Sequence, residues 1–238
     1  QMKQYDLWKG IKQMFNLVTM PDPVNQNRLI IEPYGDIFLT NPDSKQLDWT
    51  SKLDVSNIKH QPLNKIPKAT VFTYKEDKDD YRVNQYKNAL GGYLYGSKKY
   101  EAGDMFFSLL TGEKKIEASP FAPTLAAPLT MLHPDFICSH IYKAGDDGYS
   151  PFENAPRVLF DEGVKQMPPG IDYRVGFFFG FMPMISTEYG RMTHLEPSDP
   201  TVPSTRDLNF GECPLVQPIG NSPTDNLFNT YWLPYYEA

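Results

Sequence analysis

The sequence predicts an α+β fold that is mainly β, in which a small α/β unit is joined to a β-barrel or sandwich region. The chain of 238 residues contains 22 prolines and 16 glycines, and 14% of its residues are aromatic. Because proline interrupts helices and the interior of sheets, this composition indicates short strands separated by many turns. A hydrophobic content of 40% is enough for one large domain or two small ones.

The α/β unit and a connecting segment are predicted within residues 1–67. Apolar residues at spacings of three and four predict one face of a helix that ends near Asn16. These residues are Leu7, Trp8, Ile11 and Phe15. Residues 28–32 then read as a short strand that Pro33 stops. Residues 35–67 are rich in polar residues and proline, which is typical of a connection.

The β-rich barrel or sandwich domain is predicted within residues 68–196. Residues 68–74 are β-branched and aromatic, which favours a strand. Asp79 or Asp80 can cap a short polar helix that continues to Asn88. Further strands are predicted at residues 93–97, 114–119, 136–142, 157–160 and 173–179. Strands so short and so numerous are typical of a barrel or a sandwich.

Residues 197–238 form a proline-rich segment that leads into a C-terminal helix, which begins near Asn226. Residues 1–17 begin within one predicted helix, and residues 226–238 end within another. We therefore expect the chain to be a portion of a longer polypeptide.

The charge balance argues against binding to nucleic acid. The formal net charge is −6 at pH 7 and the isoelectric point is near 5.2, whereas binding to phosphates needs clustered lysine and arginine. The nearest basic pairs, at residues 98–99 and 114–115, lie beside glutamates and are interpreted as strand edges in water. We expect protein partners and no nucleic-acid partner.

No segment predicts a membrane span or an oxidised protein. The longest apolar candidate, residues 175–185, is interrupted by glycine and by Pro183, and it falls short of the roughly 18–20 residues that a membrane helix needs. The two cysteines, Cys138 and Cys213, have no CxxC spacing, which fits a reducing cytoplasm, and a disulfide between them is the alternative. We expect no integral membrane association.

Residues that commonly bind metals do not form a recognised motif. The four histidines are His60, His133, His140 and His194, with neither HxH nor HExxH spacing. On a strand, Cys138 and His140 would share one face, and His133 is the nearest further ligand. No second close pair completes a tetrahedral site. The sequence therefore predicts no metal site here.

The acidic run at residues 77–80 resembles a calcium-binding loop only superficially. Its sixth and twelfth positions hold Arg82 and Asn88, where such a loop needs glycine and glutamate. We interpret the run as a solvated turn that starts a helix, and residues 145–148 as a second turn of this kind, with calcium binding there as the alternative.

The sequence contains none of the motifs GxSxG, GxxxxGK[ST] or GxGxxG. Paired carboxylates of the glycosidase type depend on separation in space, so 29 acidic residues neither predict nor exclude them. We predict no catalytic, cofactor-binding or metal-binding residue, and neither a cofactor nor enzymatic activity.

Two aromatic clusters, residues 177–181 and 231–236, are the most unusual feature of the sequence. A continuous aromatic strand favours a sheet buried on both faces, and an intersubunit contact is the functional alternative. We expect the second face of residues 177–181 to be covered by the N-terminal helix or by a neighbouring subunit. Phe178→Asp should therefore impair folding or assembly.

Six blocks of the chain resemble, in order, tail structural proteins of phages that infect Bacteroidetes. The blocks are residues 9–17, 27–33, 47–54, 72–79, 156–160 and 229–232. The resemblance implies a minor structural protein similar to the central hub or baseplate of a phage tail. Such hubs are generally trimers whose barrel domains form a ring, with an α/β domain outside it. Asp161 and Glu162 depart from the pattern, where an aromatic or glycine-rich turn is usual.

The resemblance implies assembly contacts with other tail proteins and with copies of the same chain, as a homotrimer in the virion tail, after synthesis in the host cytoplasm. One alternative is a tail adhesin that binds host glycans, with Tyr93, Tyr95 and the C-terminal tyrosines as stacking candidates. The second is a cell-wall hydrolase domain, which tails often carry and which no motif here selects.

Overall fold

The computed structural model describes residues 2–39, 50–52, 59, 67–101, 110–130, 132–145, 148–171, 173–178, 182–199, 201–213 and 223–237. Within strands, the side chains of residues 130, 149, 173–178 and 182–185 lie outside this description. The fold is α+β and mainly β, which confirms the predicted class. The described strands form seven small sheets and no closed barrel.

Four α-helices lie in the described part of the chain, together with a 3-10 turn at Thr50–Lys52 and a π-helix at Phe228–Trp232. The helices are α1 (Gln4–Met14), α2 (Tyr34–Phe38), α3 (Tyr81–Ala89) and α4 (Leu233–Glu237).

The first eight strands are β1 (Leu17–Pro21), β2 (Leu29–Pro33), β3 (Ala69–Thr73), β4 (Lys98–Glu101), β5 (Glu113–Glu117), β6 (Ala126–Thr130), β7 (His133–Ser139) and β8 (Lys143–Gly145). The remaining strands are β9 (Gly148–Ser150), β10 (Phe160–Gln166), β11 (Tyr173–Phe178), β12 (Met182–Ser186), β13 (Glu188–Thr193), β14 (Leu195–Glu196), β15 (Arg206–Asp207) and β16 (Asp225–Asn226).

The predicted N-terminal helix is confirmed as α1, and it ends where Asn16 adopts a φ of 47°. A left-handed residue at this position stops a helix, and asparagine tolerates that conformation well. The chain then forms an antiparallel hairpin of β1 and β2. β1 is a strand that the sequence did not predict, whereas β2 confirms the strand expected at residues 28–32.

The best-buried sheet has the order β4-β3-β5, with β3 antiparallel to β4 and parallel to β5. α1 packs near β5 because Gly10 lets the helix approach Phe121, whose ring lies 2.8 Å from where a Cβ would be. The predicted strand at residues 68–74 is confirmed as β3. The predicted polar helix is confirmed as α3, with Asp80 as its N-cap, and the backbone N–H of Val83 donates to the Asp80 carboxylate (3.1 Å).

Two predicted strands are wrong in position. Residues 93–97 form a turn, in which Gly96 has a φ of 73° and the Tyr95 ring is buried. Residues 157–159 are irregular, and the strand begins only at Phe160. β7 confirms the strand expected near residue 136, and β11 confirms the aromatic strand as backbone structure.

The main core is largely aromatic and draws on distant parts of the chain. The Phe72 ring lies 5.1 Å from the Phe228 ring and 5.0 Å from the Trp232 ring, measured between centroids. The two ends of the chain also bond to each other, since Asn16 Nδ2 donates to the Tyr231 carbonyl (2.9 Å). The predicted C-terminal helix is present, and its π-helical part, Phe228–Trp232, precedes α4. The division at residues 67 and 196 stays a prediction.

Candidate functional site: ribbon faces with exposed apolar side chains

A chain of buried polar groups joins Tyr95, His194 and Asp207. The His194 Nδ1 lies 2.8 Å from the Asp207 carboxylate, and its Nε2 lies 2.7 Å from the Tyr95 hydroxyl. The Asn209 Nδ2 lies 3.0 Å from the same Nδ1, so both ring nitrogens of His194 have hydrogen-bond partners. All three residues are at most 7% exposed. The order of groups resembles a catalytic relay, and its hydrogen bonds tie the turn at Tyr95 to His194 and β15.

Cys213 extends this polar core. The Asn209 Nδ2 donates to the Cys213 Sγ at 3.5 Å, and the Asn209 backbone N–H donates to Asp207 at 2.9 Å. Burial raises the pKa of the Cys213 thiol well above its ordinary value, and the nearby Asp207 carboxylate raises it further. A buried, protonated thiol is a poor nucleophile. Cys138 and Cys213 are both free, so they form no disulfide.

The acidic run is not merely a solvated turn, as the sequence suggested. Arg157 reaches across from a segment 80 residues later, and its Nη2 lies 3.1 Å from both the Asp77 and the Asp80 carboxylates. The Asp80 side chain is fully buried and that of Arg157 is 5% exposed. The Arg157 Nη1 also donates to the Pro123 carbonyl. These contacts tie the irregular segment before β10 to the start of α3.

Cys138 and His140 lie close together, as the strand pattern predicted. The Cys138 Sγ lies 3.9 Å from the His140 Nε2, which also contacts the Ala127 carbonyl at 3.1 Å. Burial lowers the pKa of His140. Within the described ranges, no three His, Cys, Asp or Glu side chains converge as a metal site would require. His60 lies outside the described residues.

Most of the tyrosines predicted to stack on glycans are at least partly buried. Tyr95 is 1% exposed, which removes it as a candidate. Tyr93 is 38% exposed, and its hydroxyl donates to the Ser97 carbonyl (2.9 Å). Tyr235 is 46% exposed, while Tyr236 is half-buried against the main core.

The aromatic strand at residues 177–181 lies largely outside the described part of the chain. The side chains of residues 177–178 and all of residues 179–181 fall outside it. α1, one of the two expected covers, contacts β1 and β5 and packs against the main core.

The β1–β2 ribbon exposes apolar side chains to solvent. Leu29 is 62% exposed and Ile31 is 44% exposed. They alternate on one face of β2, opposite Pro21 and Thr19 in the register of the hairpin, and these two are exposed as well. We name these four residues the β1–β2 face.

The β10–β13 ribbon has a second exposed apolar face. Val164 pairs with Gly190, and Met192 follows two residues later on the same face of the ribbon. Val164 is 65% exposed and Met192 is 50% exposed. We name Val164, Gly190 and Met192 the β10–β13 face. Leu129 and Leu132, where β6 turns into β7, are also exposed.

A two-stranded ribbon whose apolar face is exposed lacks the packing that normally stabilises a sheet. A two-stranded sheet is marginally stable alone, and unpaired strand edges invite association with another chain. Neither ribbon has a third strand among the described residues. Sequence reasoning missed these faces, because alternating leucine and isoleucine normally predict the buried side of a strand.

No helix in the described part of the chain is long and apolar enough to cross a bilayer. No protein-family model matches the chain, and the comparisons with curated proteins and with solved structures found no match.

Proposed function

We propose that this chain is a structural component of a bacteriophage tail, in the central hub or baseplate, and that it acts through protein contacts without catalysis. The observation that carries the proposal is the pair of exposed faces, the β1–β2 face and the β10–β13 face. Apolar side chains gain stability when a partner removes them from water, by about 25 cal/mol per Å². The resemblance of six sequence blocks supports the tail as the setting of these contacts.

The blocks that carry the resemblance also meet in space. The block at residues 72–79 contains Asp77, the block at residues 156–160 contains Arg157, and these two side chains form an ion pair at 3.1 Å. Likewise, the Trp232 Nε1 of the last block donates to the Gln13 carbonyl of the first block (3.1 Å). These contacts bring together blocks that are far apart in the sequence. They support the view that the blocks preserve a fold.

The occupant that we propose for the β10–β13 face is a second copy of the chain. A homotrimer places the same face of every copy in an equivalent environment, so a contact that covers this face in one copy covers it in all three. Val164 and Met192 are the apolar side chains of this face, and Asp161 and Glu188 lie at its margins, as charged residues do at the rim of a contact.

Sedimentation of the full-length protein at micromolar concentration tests this proposal. We expect a trimer, and we expect the double variant Val164→Asp, Met192→Asp to dissociate to a folded monomer, because both side chains are exposed within one copy. Val202→Asp, at a residue that is 47% exposed in a loop, is the matched control and should stay trimeric.

A monomer at every concentration, combined with no binding to any tail protein, would contradict the proposal. So would a double variant that stays trimeric.

A further inference from the structure

A polar cleft of about 410 Å³ lies beside the β10–β13 ribbon, on the side opposite the β10–β13 face. Its walls include two cations, Lys165 and Arg191, two carboxylates, Asp135 and Asp199, and the phenol of Tyr189. Two adjacent prolines complete the apolar part of the wall. This volume falls within the range of roughly 300–1,000 Å³ that is usual for small-ligand sites.

The register of the ribbon brings the cations to one face. Lys165 pairs directly with Tyr189, and Arg191 follows Tyr189 by two residues. Successive side chains of a strand alternate, so all three project to the same side. The ring of Phe136 packs edge-on against Tyr189 at 4.5 Å and fixes its position. The result is one aromatic ring flanked by two positive charges.

Arg191 is the least expected of these groups, because it is buried and forms no close ion pair among the described residues, although its charge interacts with that of Asp199. It is 5% exposed, and its Nη2 donates to the Asp135 backbone carbonyl at 2.7 Å. Among the described residues its buried Nε has no hydrogen-bond acceptor, while the guanidinium also forms a hydrogen bond with the Tyr189 side chain. Buried charges are normally paired, and a guanidinium suits a carboxylate ligand.

The cleft also contains acceptors for hydroxyl groups. The backbone N–H and the hydroxyl of Thr201 donate to the Asp199 carboxylate at 2.8 and 2.6 Å. These two hydrogen bonds lower the pKa of Asp199, so the carboxylate stays ionised at neutral pH. Carboxylates that are held in place accept hydrogen bonds from sugar hydroxyls, while a tyrosine face and prolines fit the apolar side of a sugar ring.

We infer that this cleft binds an acidic saccharide. The carboxylate of a uronic acid unit lies between Lys165 and Arg191, its ring lies against Tyr189, and its hydroxyls donate to Asp135 and Asp199. A neutral sugar offers Arg191 no carboxylate for a close ion pair, and a simple anion does not contact the aromatic and proline wall. The inference concerns a ligand site and does not depend on the assembly contacts proposed above.

The test is a calorimetric titration of the full chain with a tetrasaccharide of alternating glucuronate and N-acetylglucosamine. We expect binding that weakens with salt. The neutral tetramer of N-acetylglucosamine should bind at least about tenfold more weakly, since a charge-assisted hydrogen bond contributes roughly that factor. Lys165→Met should weaken binding of the acidic tetrasaccharide by about tenfold and leave that of the neutral one unchanged.

Lys114→Met is the matched control, because this exposed lysine lies on β5 and should not alter binding. Lys165 is a better target than Arg191, whose burial makes its loss damaging to the fold. Equal affinity for the two tetrasaccharides, no effect of Lys165→Met, or displacement by an equal concentration of acetate would overturn the inference. Absence of binding at millimolar ligand would overturn it too.

Discussion

Replacing Arg157 with methionine should destabilise the protein by about 3–5 kcal/mol, the usual cost of removing one partner from a buried ion pair. Methionine preserves much of the volume of the arginine stem but leaves the fully buried Asp80 carboxylate without its cation. The Pro123 carbonyl loses a donor as well. Since total stability is typically 5–15 kcal/mol, this is a large fraction, equivalent to roughly 6–20 °C in Tm for a chain of this size.

The loss of stability caused by Arg157→Met should depend on pH. Burial raises the pKa of Asp80 above its ordinary value of 3.8, against the opposing effects of its hydrogen bond from Val83 and of Arg157. A carboxyl whose folded pKa is raised contributes stability that is present below its ordinary pKa and is lost as pH rises through the folded pKa. Without Arg157 the folded pKa of Asp80 rises further. The difference between wild type and variant should therefore shrink as pH falls from 7 towards 4.

Urea denaturation at pH 7 and at pH 4.5 measures both effects. The control is Lys143→Met, which removes an exposed cation 3.1 Å from Asp79 in the same acidic run and should cost less than about 1 kcal/mol. In the double variant Arg157→Met, Asp80→Asn, the asparagine can still cap α3 and carries no charge, so part of the stability should return. A loss below 1 kcal/mol for Arg157→Met, or a deficit that grows in acid, would refute the reasoning.

Three further predictions concern the buried core. Gly96→Ala should cost at least about 2 kcal/mol in urea denaturation, because it strains a φ of 73° and places a methyl 2.4 Å from the Asn209 Oδ1. Tyr95→Phe should cost about 1–3 kcal/mol, because the His194 Nε2 loses its buried hydrogen-bond partner. The Cys213 thiol, whose pKa is raised by burial, should resist alkylation until the chain unfolds, as measured by mass spectrometry.

Each of these three has a control in the same chain. Gly91→Ala strains a φ of 61° with nothing within 4 Å, so it should cost less than Gly96→Ala. Tyr93→Phe removes a partly exposed hydroxyl and should cost less than Tyr95→Phe. Cys138 is only partly buried and should be alkylated first. Equal costs, or equal alkylation rates, would contradict the corresponding prediction.

The elements that the sequence predicted are those with a strong local signal. The apolar spacing of Leu7 and Ile11 was sufficient for α1, and an aspartate before a polar helix was sufficient for α3. Residues 93–97 show where local patterns fail. Tyrosines at alternate positions read as a strand, but Gly96 takes a left-handed conformation against Asn209, a residue more than 100 positions away.

The candidate site was less predictable than the fold. Asp77, a partner of Arg157, lies 80 residues away in the sequence, and neither residue lies in a motif that predicts the pair. The exposure of Leu29 and Ile31 is also hidden, because the same alternation describes a face against the core and a face against another subunit. Lys165 and Tyr189 become neighbours only through the register of β10 and β13.

We propose that this chain is a tail component held by contacts between copies. An electron cryomicroscopy map of the intact particle whose genome encodes the chain tests it most directly. We predict three copies around the tail axis, with the β10–β13 face of Val164, Gly190 and Met192 covered by a neighbouring copy. A particle that lacks the chain, or one in which this face is open to solvent in every copy, would contradict the account.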